Sequence, residues 1–202
     1  DGKQVSLYTL KSGDLIMQVT NFGARVVSLW VPDKNGNYED IVLGYNNIDS
    51  YINNPGERFL GAVVGPYANR IAGGTYSIGE ETYTFPQNNN GQTLHGGLKG
   101  LDMVVWDVKS VSESSIVLTY LHPDGQDGHP GNLSIEMTYT LTPDNKFRVD
   151  YKASTDKATH VNMSHHSFFN LKGNDQCLDS TGSNHSIFIN YTVAIFSIIS
   201  CI

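Results

Sequence analysis

The clearest pattern along the chain is a regular alternation of apolar and polar residues in short runs. In the run 133–141, every second residue is apolar: Leu133, Ile135, Met137, Tyr139 and Leu141. The run 147–151 repeats this alternation with Phe147, Val149 and Tyr151. Side chains of a β-strand point alternately to opposite faces of the sheet, so each run predicts a strand with one buried face.

Turn-forming sequences separate the alternating runs. Thr-Pro-Asp-Asn follows the first run, and similar sequences stand at 32–36 and 122–125. Pro, Asp, Asn and Gly favour tight turns, and no window of comparable length has apolar residues at a helical period. We therefore predict an all-β protein, a largely antiparallel β-sandwich or a related architecture. Because no repeat or linker is visible, a single domain over residues 1–202 is expected.

The C-terminal segment from about residue 174 departs from this pattern. The alternation becomes irregular, and the chain ends in the mostly apolar run 187–202. That run is shorter than the roughly 20 apolar residues a membrane-spanning helix needs, so no membrane anchor is predicted. A buried strand, or an aberrant or incomplete segment, is the expectation instead.

Two adjacent histidines stand in the sequence Thr-His-Val-Asn-Met-Ser-His-His-Ser-Phe-Phe-Asn-Leu. If 160–171 is a strand, His165 shares a mostly apolar face with residues such as Met163 and Phe169. His166 then lies on the opposite, polar face. We predict that His165 packs into the core and that His166 faces a cleft open to solvent. An ordinary hydrogen-bonded histidine is the alternative for His166.

A second group of polar residues lies far upstream. His95 stands in the glycine-flanked loop Leu-His-Gly-Gly, and Asn69 and Arg70 precede another pair of glycines. Loops carry binding groups disproportionately, and Asn and Arg together offer the donors and acceptors that sugar hydroxyls need. A surface salt bridge remains the alternative for Arg70, and a turn-stabilising hydrogen bond remains the alternative for His95.

The composition narrows the class of partner. The chain has 13 Lys and Arg against 20 Asp and Glu, a net charge of −7. The lack of a run of basic residues argues against nucleic acid and an anionic membrane surface as partners, and a neutral polar ligand such as a sugar fits better. The two cysteines, Cys177 and Cys201, form neither a disulfide framework nor a zinc motif. They leave the compartment open, as cytoplasmic, periplasmic or secreted.

Several motifs together resemble one family. They are "NRIAGGTYSIGEETYTF", "NNNGQTLHGG", "KGLDMVVWDV", "HPDGQDGHPGNLSIEMTYTLT" and "HHSFFNLKG". In their order and approximate spacing they are similar to the aldose 1-epimerase (galactose mutarotase) family over roughly residues 1–173. The resemblance implies a galactose-mutarotase-like antiparallel β-sandwich (supersandwich) with a sugar cleft on one sheet. It also implies acid/base interconversion of the α and β anomers of free hexoses such as galactose or glucose, without a metal or organic cofactor.

The resemblance assigns roles to particular residues. His166 matches the family's catalytic acid, and His95 its other cleft histidine, so both are expected to be catalytic and to contact substrate. The Asn-Arg pair falls on Asn69 and Arg70, expected to bind sugar hydroxyls. Phe168 stands in the same motif as His166, "HHSFFNL", and is also expected to contact the substrate; the family often has Tyr at this position. Residue 165 is His where the family often has Asn. The family's general base is a glutamate near the end of a longer chain, which no glutamate here matches.

Four alternatives remain open. A hexose-6-phosphate epimerase would need a basic cluster for the phosphate, and none is visible. A non-catalytic carbohydrate-binding protein of the mutarotase fold would have lost the base, and a purely structural β domain would use none of these residues. A zinc site made by His95, His165 and His166 lacks a close ligand motif. The partner expected is a small-molecule aldose, and the oligomeric state a monomer or weak dimer.

Overall fold

The computed structural model describes residues 2–173, and within them nearly all regular structure is β. The strands, in chain order, are β1 (Leu7–Ser12), β2 (Leu15–Thr20), β3 (Arg25–Pro32), β4 (Tyr38–Asp40), β5 (Val63–Val64), β6 (Arg70–Ile71), β7 (Thr75–Ile78), β8 (Glu81–Thr84), β9 (Thr93–Leu94), β10 (Asp107–Val111), β11 (Ser115–His122), β12 (Leu133–Leu141), β13 (Phe147–Thr155) and β14 (Ser164–His165). The expectation of an all-β protein is confirmed.

Two four-stranded antiparallel sheets form the body of the fold. Each is a meander of sequence neighbours, β1 to β4 in one sheet and β10 to β13 in the other. Both sheets contribute to one apolar core, with Met17 of β2 and Leu118 of β11 among its fully buried members. Two sheets whose inner faces share one core form a sandwich.

Strand β12 is the strand that the alternating pattern predicts. Its five apolar residues are all buried and the residues between them are half-buried or exposed. Antiparallel pairing with β13 places Tyr139 opposite Val149 and Leu141 opposite Phe147. The predicted Thr-Pro-Asp-Asn turn joins the two strands, and the backbone N–H of Thr142 donates to the Lys146 carbonyl at 2.9 Å. The apolar residues of β13 are only half-buried, and β13 is the last strand of its sheet within residues 2–173.

The predicted strand over 160–171 is wrong. Only Ser164–His165 forms a strand, β14, which pairs with β5. On either side the chain makes single bridges to other partners, Asn162 to Tyr67 and Phe169 to Val42. A segment that pairs with three different partners in turn cannot keep one continuous ladder or one strict alternation of faces. Phe169, predicted on the core face, is accordingly 44% exposed.

Helical structure is short. One α-helix, α1 (Ile48–Asn53), was not predicted because six residues give no periodic stripe. The side chain of Asn47 caps it by accepting from the Ser50 N–H, and Tyr51 buries one face. The 3₁₀ turns are Ala72–Gly74, Leu101–Met103 and Gln126–Gly128.

No helix in residues 2–173 has both the length and the apolar character needed to cross a bilayer. The expectations for the C-terminal segment from about 174, including Cys177 and Cys201, lie outside the described residues.

Candidate functional site

His166 follows β14 directly and is held by backbone hydrogen bonds to the 61–62 segment. Its N–H donates to the Ala62 carbonyl at 2.8 Å, and its carbonyl accepts from the Gly61 N–H at 3.2 Å. These two bonds fix the backbone of His166, while its side chain remains half-buried. A half-buried His166 is compatible with the predicted access of its side chain to solvent. The strand from which that access was predicted, 160–171, is reduced to Ser164–His165.

His95 and Asn69 are joined by two hydrogen bonds. The His95 N–H donates to the Asn69 carbonyl at 3.0 Å, and the Asn69 N–H donates to Nδ1 of the His95 ring, also at 3.0 Å. Both residues lie in the left-handed region, with φ of 65° at Asn69 and 53° at His95. A non-glycine residue in this region is strained, and such strain persists only where surrounding contacts hold it. The turn-stabilising role considered for His95 is thus present, through Nδ1.

The two histidines, 71 positions apart in sequence, lie ring against ring. The imidazoles of His95 and His166 meet edge to face, with ring centres 4.9 Å apart at 85°. Phe59 contacts both, with its ring centre 4.6 Å from that of His95 and 5.7 Å from that of His166. The sequence alone did not indicate Phe59, because an aromatic residue before the apolar run Leu-Gly-Ala-Val-Val has the pattern of an ordinary core residue.

Arg70 lies at the exposed edge of the same site. Its Nε donates to Oδ1 of Asn89 at 3.1 Å, and Nη1 lies 3.4 Å from Oδ1 of Asn69. Among the ion pairs formed by residues 2–173, none involves Arg70. Its observed partners are neutral amides rather than a carboxylate, so its positive charge is not neutralised by a described neighbour.

The environment of His95 favours the neutral imidazole. Burial, followed by the positive charges of His166, Arg70 and Arg58, lowers the pKa of His95 to about 4. Because Nδ1 accepts the Asn69 N–H, the proton of the neutral ring is on Nε2. His95 can therefore donate one hydrogen bond from Nε2 to a ligand oxygen at neutral pH.

His165 has a different environment from its neighbour. Its Nδ1 is 3.0 Å from the buried Tyr139 hydroxyl, and its Nε2 is 2.6 Å from the Ser167 hydroxyl. Its ring also packs against Phe147, with centres 5.4 Å apart. Burial, and secondarily the charge of His166, lowers the pKa of His165 to about 3. Both nitrogens of His165 are engaged, and no group of three metal-ligating side chains occurs in residues 2–173.

Phe168 lies beside His166, with ring centres 5.1 Å apart. It packs against a small apolar cluster whose buried members include Tyr51 and Leu60. The five residues proposed from sequence thus fall into one continuous group: Asn69 and Arg70 bond to each other, Asn69 to His95, and the rings of His95, His166 and Phe168 follow in contact.

Comparison with known proteins gives consistent results. The family model for aldose 1-epimerase matches residues 6–191. Galactose mutarotase from Mus musculus is 36% identical over 172 residues, which is 85% of this chain and 49% of that protein. Aldose 1-epimerase from Escherichia coli strain K12 is 34% identical over 174 residues, 86% of this chain and 50% of that protein.

Solved structures agree with the sequence relatives. An aldose epimerase homologue from C. elegans superposes with a TM-score of 0.80 at 31% identity, covering 85% of this chain and 53% of that one. Galactose 1-epimerase from Lactobacillus acidophilus gives a TM-score of 0.73 at 32% identity, covering 85% and 50%. The fold is that of the galactose-mutarotase-like β-sandwich class. The chain belongs to the aldose 1-epimerase family, and it spans about half the length of the curated relatives it matches.

Proposed function

We propose that this protein binds a free aldose such as galactose or glucose at the His95–His166 pair and takes part in interconverting its α and β anomers. The observation that supports this most is that the two imidazoles in contact at 4.9 Å are both half-buried, and that the Asn69 N–H donates to Nδ1 of His95 and so leaves its Nε2–H for a ligand. Asn69 and Arg70 border the pair and supply donors and acceptors for sugar hydroxyls. The relatives' names, galactose mutarotase and aldose 1-epimerase, support the same substrate class.

The chemistry requires two proton transfers. One proton goes to the ring oxygen while another leaves the C1 hydroxyl, so the ring opens; rotation about C1–C2 and reclosure give the other anomer. In this proposal His166 delivers the proton to the ring oxygen, and His95 donates a hydrogen bond from Nε2 that orients the sugar. A positioned acid or base contributes about 10²- to 10⁴-fold in rate.

A non-catalytic aldose-binding role is the second candidate. Within residues 2–173, none of the ion pairs joins a carboxylate to His95 or His166. A general base for the C1 hydroxyl is therefore not identified by the contacts of these histidines. Binding of the sugar without turnover is therefore kept as a second candidate, which the experiment below separates from the first.

Polarimetry on freshly dissolved α-galactose, paired with calorimetry, separates the two candidates. Faster decay of optical rotation in the presence of the protein, together with binding, supports the epimerase proposal. Binding without acceleration supports the second candidate, and the absence of both overturns each. Methyl α-galactoside is the matched control ligand, since its ring cannot open: it is expected to bind and to show no change in rotation.

A further inference from the structure

Arg58 connects a buried carboxylate to the aromatic ring that contacts both histidines. Its Nε donates to Oδ2 of Asp102 at 2.7 Å and its Nη2 donates to Oδ1 at 3.0 Å. The guanidinium carbon lies 5.0 Å from the centre of the Phe59 ring. Two parallel hydrogen bonds from one guanidinium to one carboxylate define the orientation of the side chain, not only its distance.

Arg25 holds the same segment through its backbone. Its side chain is fully buried, and Nη1 donates to the carbonyls of Arg58 and Leu60 at 3.0 and 2.9 Å. Nη2 donates to the Asp102 carbonyl at 3.1 Å. The carbonyls on both sides of Phe59 are therefore attached to one guanidinium, and that guanidinium is attached to the residue that anchors Arg58.

Stability alone does not account for this arrangement. The Asp102 side chain is 0% exposed, and burial raises the pKa of its carboxyl while the hydrogen bonds and charge of Arg58, and then the charge of Arg25, oppose that rise. Buried ion pairs often contribute no more to stability than apolar residues of the same volume, because desolvation offsets the attraction. What this network does provide is a fixed place for Phe59, whose ring lies 4.6 Å from His95 and 5.7 Å from His166.

We propose that Arg58 is a positioning residue for the histidine pair, holding Phe59 against both imidazoles from its anchor on Asp102, with Arg25 fixing the backbone on either side. The effect of Arg58 on the rings is independent of substrate. Only the activity readout below rests on the proposed function.

Histidine NMR tests the effect on the rings directly. The charged groups that act on His95 are His166, Arg70 and Arg58, and burial is the larger influence. Arg58→Met and Phe59→Leu both loosen the packing on His95, so its pKa is expected to rise from about 4 by about half a unit or more. Arg148→Met is the matched control, because it removes an exposed arginine–carboxylate pair on β13 and leaves the site untouched.

Arg58→Lys separates positioning from charge. Lysine keeps the positive charge but loses the two-pronged bond to Asp102 and the planar group over Phe59. A rise in the His95 pKa with Arg58→Lys supports positioning. A pKa that stays at the wild-type value with Arg58→Lys and moves only with Arg58→Met overturns it in favour of charge alone. Should Arg58→Met fail to fold, Arg58→Lys and Phe59→Leu decide the matter, and no change in either overturns the proposal.

Kinetics with galactose give the second readout. Misplaced catalytic groups lower turnover more than binding, so Arg58→Lys is expected to reduce kcat about 10-fold while KM stays within about twofold. A rise in KM at constant kcat would assign Arg58 to sugar binding and overturn the positioning role. If the wild-type protein shows no mutarotation, the proposed function fails, whereas the NMR titration still decides the role of Arg58.

Discussion

Two histidine pairs in this protein have nearly the same ring geometry and very different surroundings. His95 and His166 meet at 4.9 Å and 85°, and His122 and His129 meet at 5.6 Å and 84°. The first pair is half-buried. The second pair is 0% and 1% exposed, and none of its four ring nitrogens makes a hydrogen bond of good geometry within the described residues. Edge-to-face imidazoles alone therefore do not mark a reactive site.

The difference lies in access and hydrogen bonding. Burial lowers the pKa of His122 to about 4 and that of His129 to about 3, and the backbone of Gly96 only partly opposes the effect on His129. The buried pair is thus neutral and enclosed, suited to packing against Phe85, whose ring centre is 4.7 Å from that of His129. His95 is also neutral at pH 7, but its Nδ1 is satisfied by Asn69 and its Nε2 carries a proton that a ligand can use.

Replacing one member of the accessible pair is expected to have the largest effect. His166→Ala removes the proposed acid, so the mutarotation rate should fall about 10²- to 10⁴-fold in polarimetry with α-galactose. His122→Phe changes the buried pair and should leave the rate unchanged. His165→Ala should mainly lower stability, because it removes the partner of the Ser167 hydroxyl and one of the two partners of the Tyr139 hydroxyl. An inactive His165→Ala beside a fully active His166→Ala would contradict the assignment.

The second largest expected effect is a loss of folding stability at acidic pH, caused by the buried His122–His129 pair. An unfolded histidine titrates near 6.5, whereas His122 and His129 remain neutral in the fold down to about 4 and about 3. Below pH 6.5 the unfolded chain therefore binds more protons than the fold, and stability falls as the pH falls. Between pH 7 and 5 each imidazole accounts for a loss of about 2 kcal/mol.

Urea denaturation across that pH range measures the loss. The double variant His122→Phe/His129→Phe should reduce it by about half, because His95 and His165, whose pKa values are lowered to about 4 and about 3, keep their own contributions. Ile116→Val is the matched control, since it perturbs a fully buried core residue without removing a titratable group. It should lower stability equally at every pH. An unchanged slope in the double variant would mean that the acid sensitivity arises elsewhere, for example at His165.

Arg70 borders the accessible pair, and its replacement tests whether this region binds sugar. Arg70→Ala is expected to weaken galactose binding by about 1–3 kcal/mol, the cost of leaving polar groups in a binding site unpaired. Calorimetry measures the loss, with Arg148→Ala as an exposed arginine away from the site. Equal affinities for Arg70→Ala and the wild-type protein would place Arg70 outside the binding surface.

His165 differs from both pairs, since it is half-buried and both of its ring nitrogens have hydrogen-bond partners. Tyr139→Phe removes the hydroxyl that contacts Nδ1 of His165 and donates to the Ala24 carbonyl at 2.8 Å. It should lower stability by about 1–2 kcal/mol in urea denaturation while leaving sugar affinity unchanged. A loss of affinity as large as that of Arg70→Ala would mean that His165 supports the site rather than the core.

The sequence predicts those parts of the molecule whose environment is uniform along the chain. Strand β12 keeps one face on the core for its whole length, so its burial repeats every second residue and its pattern is readable. The segment around His166 changes partners from Tyr67 to β5 to Val42, so the same reasoning gave a strand that is too long. Strand parity indicates His166, and the loop context indicates His95, Asn69 and Arg70; the resemblance to one family then assigns their expected roles and adds Phe168.

The supports of the site could not be predicted in the same way. Phe59 lies in an apolar run, where one ring is indistinguishable from another until its neighbours are known. Arg25, Arg58 and Asp102 meet from positions 33 to 77 residues apart, and nothing local to any of them indicates the others. Long-range contacts between single side chains leave no periodic trace in a sequence.

The left-handed backbone at His95 carries a consequence for how the protein can change over generations. At φ 53° any L-residue other than glycine is disfavoured, by roughly 1–2 kcal/mol, so His95→Gly would relieve local strain while deleting the imidazole. The exchange would also remove the ring nitrogen that accepts the Asn69 N–H and the packing of the ring against Phe59 and His166, so the gain and the loss in stability should nearly cancel. Stability alone therefore gives little preference between histidine and glycine at this position, and selection for sugar turnover is what would retain the histidine.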